Sequence, residues 1–359
     1  MRVLHLPLNI ASQASVTVRA LRAIGVEARG LVVSSHVIQS ADGLEVIQIT
    51  TGNRLRRLTD SLRQLPHVFA AIRWADVIHW HYGTTALPKG LDLLWATRLH
   101  KPGLVEFWGS DIRIPAVEAA DNPYYGRPGP DYEYQQAETL AHSRASQARF
   151  ARAGARCLVS CKSLLPYIQP DLFPDVYFVR QRVWLPDFRP QPPDPERKRP
   201  VLVHSPSAPV AKGTAAVMAA VERLQRKYDF EFRLLRNVPR HRALEIVAEA
   251  DIFLDQFVLG GYGLAALEAM ALGKPVVCYV KPSMVAQYPP DLPVVNASQE
   301  KLADILEGLL QNGNLRHELG VRGRAYVEKY HDALHAARQL QEIYEEILEP
   351  KTENRRPFG

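Results

Sequence analysis

Two α/β domains, each a parallel sheet covered by helices on both faces, are predicted by three observations. Short, continuously apolar runs alternate with helical periodicity from the first residue; one proline-rich break, Leu185 to Pro200, interrupts that alternation; and beyond it the alternation restarts. A strand buried on both faces reads as an unbroken apolar run, and helices between such strands supply the crossovers that parallel pairing requires. At 359 residues the chain is also long for one core, since domains run to roughly 100–200 residues.

In the first domain, residues 1–185, strands are expected at RVLHLPL, ARGLVVSS, ADVIHWH, GLVEFWG and RCLVSC, with a helix over Ala14–Ile24 after the first. A further helix pattern carries Leu55, Leu58, Leu62, Leu65, Phe69 and Ile72 at steps of three and four, with Arg54, Arg56, Arg57 and Arg63 interleaved. It reads either as cover for its own sheet with a solvated basic face, or as peripheral membrane contact through residues 53–73. Residues 186–200 form the linker, because six prolines between Leu185 and Pro200 leave no room for a regular element. In the second domain, residues 201–330, strands are expected at PVLVH, FEFRLLRNV, DIFLDQ and KPVVCYV, with helices over about Lys212–Lys227 and His241–Ala250. Helical pattern continues to Leu348, and residues 349–359 read as a polar, frayed tail.

The net charge of +6 is uneven: residues 1–185 hold 21 Lys+Arg against 15 Asp+Glu, leaving 23 against 23 beyond. Such a field favours phosphates or an anionic membrane surface and falls short of a nucleic-acid-binding arm. Cys157, Cys161 and Cys278 form neither a CxxC pair nor an even set, so they read as small core residues in a reducing compartment, and no metal site is suggested. The opening MRVLHLPL reads as a strand rather than a signal peptide, and charges interrupt every apolar stretch approaching the ~18 residues that span a bilayer. A cytoplasmic protein is expected, membrane-associated if the basic helix docks on lipid.

Ligands of open parallel sheets bind beyond the carboxyl ends of the strands. In the first domain those loops hold Asn9, Ser12 and Gln13; Ser34, Ser35 and His36; His81 and Tyr82; Ser110 and Asp111; and Lys162 and Ser163. In the second they are HSPSAPVAKGT, Arg236–Asn237 and DQFVLGGYG. Lys212 precedes Gly213 and Thr214, which is placed to cap a helix, so the lysine beside a helix start is either a phosphate ligand or a solvated side chain. In LGGYGLAALEAMALGKPVVCY, Gly260, Gly261 and Gly263 permit close ligand approach. A helix from about Tyr262 puts Leu264, Leu267, Glu268, Ala271 and Leu272 on one face. A carboxylate in that apolar arc needs a ligand hydroxyl pair, such as a ribose, or a buried cation. Asp255 is a similar case, or a turn cap.

YGLAALEAMALGKPVV resembles the donor-site signature of retaining glycosyltransferases of the GT-B fold, family 4 type. MRVLHLPL, ADVIHWHYG, FWGSDIR, RCLVSC, VWLPDFRP, KGTAAVMAAVERL and VPRHRALEIVAEADIFLDQ match in order, across nearly the whole chain. The resemblance implies two Rossmann-like domains about a cleft, a last helix (residues 331–348) crossing back to the first domain, and a nucleotide-diphosphate sugar as donor substrate, with no further cofactor. It assigns Glu268 to the donor ribose, Lys212 to the diphosphate, the amides of Gly263 and Leu264, beside Gly261, to phosphate or sugar, and Asp111 to the first domain's histidine-glycine-X-aspartate segment. Three positions depart from the family pattern. Gly260 stands where most members have a glutamate touching the donor sugar, Ser207 where many have a diphosphate-binding arginine, and Trp108 where a histidine is common.

These assignments imply a retaining, metal-independent transfer. Lys212 and the helix start would stabilise charge on the departing diphosphate, and Arg236 would supply the second cation. The sequence contains no Asp-X-Asp triplet. The acceptor would attack on the face the leaving group departs from, with the diphosphate helping to take its proton. His81 and Asp111 are candidate acceptor or sugar contacts, or a core histidine and a helix cap. The acceptor is a saccharide, a lipid-linked sugar or a small molecule, and RIPAVEAADNPYYGRPGPDYEYQQ reads as an acceptor-side loop or a packed surface excursion. The alternatives are a degenerate GT-B nucleotide- or sugar-binding partner protein without transfer, and a GT-B nucleotide-sugar epimerase.

Overall fold

The computed structural model describes residues 1–33, 42–47, 54–125 and 131–349, with backbone alone at 54–58 and 61. Ser34, Ser35 and His36, the side chains of Arg54, Leu55, Arg56, Arg57 and Leu58, and the tail from residue 350 lie outside the described residues.

Seven parallel strands form the first sheet: β1 (Arg2–Leu6), β2 (Glu27–Val33), β3 (Glu45–Ile47), β4 (Val77–His81), β5 (Gly103–Phe107), β6 (Arg156–Val159) and β7 (Val176–Phe178), in the order β3-β2-β1-β4-β5-β6-β7. Five parallel strands form the second: β8 (Val201–His204), β9 (Glu231–Leu234), β10 (Ile252–Leu254), β11 (Val276–Cys278) and β12 (Val295–Asn296), in the order β12-β11-β10-β8-β9. Every residue of β4, β5, β8, β10 and β11 is buried, as a sheet covered on both faces requires. Strand order reverses between β1 and β4 and between β8 and β10, and both reversals open crevices at the strands' carboxyl ends.

Three details differ from the sequence reading. The helix expected from Lys212 is two helices, Pro209–Lys212 and Thr214–Gln225, broken at Gly213, whose φ of +73° only glycine adopts without strain. Gly213 is therefore the cap; Thr214 instead pairs its hydroxyl with His204 Nε2 at 3.0 Å. The glutamate-bearing helix runs Leu264–Ala271, so Tyr262 lies in the preceding loop.

The basic helix is Arg54–Trp74. Val68, Ala71 and Ile72 are buried in the first core and Phe69 meets Trp95 edge-on at 5.0 Å, so its second half covers the sheet, while Leu62 is 55% exposed. Among the described residues no helix is long and apolar enough to cross a membrane. The helix Ala333–Leu348 returns to the first sheet, where Ala336, Leu340 and Tyr344 pack with Val3, Val18 and Val77. Beside it the chain crosses between lobes twice, and the two passages pair as a bridge, Val183 with Asp332.

Polar residues hold the first lobe together from inside. Arg182 is fully buried and donates to both Glu106 oxygens, at 3.0 and 2.6 Å, and to Thr17 Oγ1 at 2.6 Å. Glu106 Oε2 also stands 3.3 Å from His79 Nε2 and 3.3 Å from His81 Nδ1. His81 Nε2 bonds to His5 Nδ1 at 3.0 Å, and His79 Nδ1 to the Tyr344 hydroxyl at 2.7 Å. Burial pushes all three imidazoles below their ordinary range, His79 to about 3. Burial would raise Glu106, but Arg182 and the two imidazoles hold it well below the carboxylate range.

The segment carrying the predicted acceptor-side loop is strapped to the second lobe. Lys281 Nζ donates to Glu118 at 2.9 Å and Asp121 at 2.8 Å, Asn122 donates to the Val258 carbonyl at 2.8 Å, and Glu133 accepts from the amides of Val210 and Ala211 at 2.9 and 3.1 Å. Lys281 and Glu118 are buried, whereas the Asp121 side chain is 41% exposed.

Lys281→Met leaves the buried Glu118 without its cation. It is expected to cost about 3–5 kcal/mol, read as a lower urea midpoint; an unchanged midpoint would show that the strap does not rest on this pair. A second prediction concerns acid. Once unfolded, the three imidazoles titrate near their ordinary value of about 6.5, so below that pH the unfolded chain binds more protons than the folded one. Their contribution is complete above about pH 6.5 and is lost as pH falls toward about 3, the value at which His79 is held. His79→Phe should flatten the slope of urea midpoint against pH between about 6.5 and 4.5, and an unaltered slope would remove His79 from this account.

Candidate functional site

A cavity of about 280 Å³ opens where the two strand-order reversals face each other. On one side the loop after β1 contributes Ala11 and Ser12, both in the left-handed region with φ of 47° and 63°, a conformation few non-glycine residues hold. On the other, the loop after β8 gives Ser205, Pro206, Ser207 and Lys212, and the glutamate-bearing helix gives Leu264, Ala265 and Glu268. The remaining wall is mostly apolar, with Leu235, Val238, Leu244, Val247 and Phe253, and Arg240 stands in it.

Glu268 receives Arg240 Nε at 2.9 Å and Nη2 at 2.6 Å, both on Oε1. The buried cation that the apolar arc demanded is therefore present. Oε2 takes no hydrogen bond from the described residues and is not sealed from the cavity, so the carboxylate keeps one acceptor free. Burial raises the Glu268 carboxyl and Arg240 opposes the rise. Arg240 escaped the sequence reading; its signal was its place as the first helical residue after the β9 loop NVP, at a carboxyl strand end.

Lys212 ends its short helix with Nζ 2.5 Å from Gln256 Oε1 and 3.6 Å from Asp255 Oδ1. Asp255 Oδ2 accepts the Gly263 amide at 2.6 Å, so Asp255 caps the turn and holds the lysine at once. A Cβ on Gly263 would lie 3.0 Å from Lys212 Nζ, so the backbone passes close beside the ammonium there. The Gly261 carbonyl accepts from Gln256, completing a unit of Lys212, Asp255, Gln256, Gly261 and Gly263 at the start of the helix. Ser207 lines the same cavity.

Other predicted residues lie elsewhere. His81 is buried within the imidazole cluster, with Trp108 stacked over it at 6.1 Å. Asp111 is buried too and accepts from the amides of Gly109 at 2.7 Å and Trp108 at 3.1 Å; burial raises it to about 6 against those bonds. It caps a turn. Arg236 is exposed and lines a separate groove with Tyr124 and Met218, leaving Arg240 as the arginine of the cavity. At Gly260 a Cβ would lie 2.6–2.7 Å from the Lys281 stem, so the lysine that straps the lobes occupies the space a side chain there would need.

His5, His79 and His81 each offer one ring nitrogen within 4.8 Å of the others, the spacing of a metal site. Their carboxylate neighbour Glu106 is already neutralised by Arg182, so a divalent ion there would add buried charge without compensation.

Residues 196–326 match the family model described as glycosyl transferases group 1. Among curated proteins no sequence matches. Three solved structures share the architecture. Sucrose-phosphate synthase (tll1590) from Thermosynechococcus elongatus is 15% identical with a TM-score of 0.61, covering 97% of this chain and 99% of its own. A glycosyltransferase from Rickettsia africae ESF-5 is 14% identical with a TM-score of 0.61, covering 97% and 98%. Anabaena Alr3699/HepE, solved in complex with UDP, is 14% identical with a TM-score of 0.59, covering 96% and 100%. At these identities the likeness is one of fold: the chain has the GT-B architecture, two parallel-sheet Rossmann-like lobes.

Proposed function

We propose that the protein is a retaining, metal-independent glycosyltransferase that takes its sugar from a nucleotide diphosphate. The observation that carries this reading is the cavity between the lobes, lined by a carboxylate with one free oxygen, a lysine, a helix start and a mostly apolar wall. The apolar wall suits a flat base, Glu268 Oε2 suits a ribose hydroxyl, and Lys212 with the helix start from Leu264 suits a diphosphate, the Gly263 amide being taken by Asp255. The match to glycosyl transferases group 1 covers this lobe. UDP with glucose, and UDP-glucose, are bound in further structures of the Anabaena protein of the same fold.

As the sugar leaves, charge gathers on the β-phosphate. Lys212 and the helix-end amides lower the barrier by meeting that charge where it develops. Gln256 and Asp255 keep the ammonium in place beforehand, so little reorganisation is needed. Asp111 and His81 are engaged in the turn and the core, and neither serves as the base in this scheme. The acceptor proton passes to the departing diphosphate, with attack on the face it leaves.

A nucleotide-binding protein without transfer is the second reading, and the Lys281 stem beside Gly260 favours it, since that space is then closed to a sugar-contacting side chain. A thermal-shift panel of nucleoside diphosphates and their sugars tests both. At least one nucleotide should raise Tm, and Glu268→Ala should weaken it about 10–100-fold, the cost of one charged hydrogen bond. Stabilisation by none of the nucleotides ends both readings. Binding without release of nucleoside diphosphate from any donor and acceptor mixture leaves the second.

A further inference from the structure

Arg240 and Glu268 meet in the wall of the cavity, and their pairing is lopsided. An arginine commonly meets a carboxylate fork to fork, one N–H to each oxygen, and both oxygens are then engaged. Here Nε and Nη2 both go to Oε1, at 2.9 and 2.6 Å, and Oε2 takes no hydrogen bond from the described residues. The arginine is steadied from its own side. Its guanidinium lies 5.9 Å from the centre of the buried Phe188 ring, and the Phe188 carbonyl accepts from Arg324 at 2.9 Å. Pro239, with its fixed φ, sets the turn from which Arg240 opens the helix Arg240–Ala248.

The surrounding charges are committed elsewhere. Asp187, which shares a narrow crevice with Arg240 beside the cavity, accepts from Arg19 at 2.8 and 3.1 Å. Arg182, in the same crevice, is held by Glu106, and Lys212, in the cavity itself, by Gln256 and Asp255. On the helix of Arg240, Arg242 pairs with Glu245 at 2.6 Å and His241 is exposed. The Glu268 helix, Leu264–Ala271, carries no second charge, and on the helix packed against it, Gly313–Tyr330, Arg324 pairs with Glu328 at 2.6 Å. Among the described residues Arg240 is therefore the cation set against Glu268.

We infer that Arg240 is a positioning residue for the nucleotide: it holds Oε1 of Glu268, so that Oε2 is the oxygen presented to the ribose, and it acts through that carboxylate rather than on the nucleotide. This role rests on the donor-site reading of Glu268. It has a chemical consequence. Burial favours the protonated carboxyl and Arg240 opposes it. Without the arginine the carboxyl takes up a proton as pH falls, and a neutral carboxyl is a weaker acceptor for a hydroxyl than a charged one.

Calorimetric titration with UDP-glucose, a diphosphate diester with no group titrating near neutral pH, tests this on the full chain, Arg240→Gln, Glu268→Gln and the double variant. Arg240→Gln should weaken binding about tenfold alone and less than about twofold beside Glu268→Gln, because two residues acting through one contact are not additive. The deficit of the single variant should widen as pH falls from about 8 to about 5.5. Arg240→Lys, which keeps a charge without the fork, should recover the pH response of the native chain but only part of its affinity; it carries the same cycle if Arg240→Gln does not fold. Equal weakening in both backgrounds overturns the inference and makes Arg240 a nucleotide ligand in its own right. Tighter binding in Arg240→Gln overturns it too, since the ion pair would then be a plug. If UDP-glucose does not bind the native chain, the donor-site reading fails on its own account. The hold on Glu268 is then read without ligand, from the carboxyl ¹³C resonance that Glu268→Gln removes: it should titrate at higher pH in Arg240→Gln, and an unmoved titration overturns the role.

Discussion

Lys281 sets how the two lobes meet. A buried ammonium is tolerated only with its partners in place, and here both partners, Glu118 and Asp121, belong to the other lobe. The lobes are thereby held at the separation that makes one cavity out of Ala11 and Ser12 on one side and Lys212 and Glu268 on the other. The same side chain fixes the chemistry of its neighbour, since its stem lies where any side chain at position 260 would go. One lysine thus couples the contact between the lobes to the space beside position 260.

Much of the architecture was legible because burial on both faces leaves a plain mark. VIHWH, GLVEF, VLVH and IFL are unbroken buried strands, and each was evident as an apolar run. β3, β7 and β12 were not, being edge strands of two or three residues whose pattern is too short to carry a period. The break at Gly213 was hidden for another reason: a left-handed glycine inside an alanine-rich run looks like a tolerated helix residue until the backbone is seen.

At the site, the structure brings some of the polar residues beyond the strand ends into one cavity and draws others into turns, the core or a separate groove. Glu268 and Lys212 stand in one cavity because both lie on helices that follow the carboxyl ends of the central strands β10 and β8. His81 is the last residue of β4 and looked equally available, but Trp108 covers it and the imidazole cluster claims it. Asp111 was drawn inward by the amides of its own turn. Arg236 and Arg240 flank the same loop, and only the helix that begins at Arg240 turns its side chain toward the carboxylate.

The returning helix Ala333–Leu348 has a consequence for how the molecule is made. It covers Val3, Val18 and Val77 with residues more than two hundred positions further along the chain. During synthesis that face of the first sheet therefore has the helix Gln13–Ala23 but lacks its last covering helix until the entire second lobe has left the ribosome. The second sheet carries no such debt, as its strands and covering helices lie between residues 201 and 330. Vectorial synthesis thus inverts the order of the chain: the lobe made last can finish folding first, and the lobe made first completes its core only when the last helix arrives.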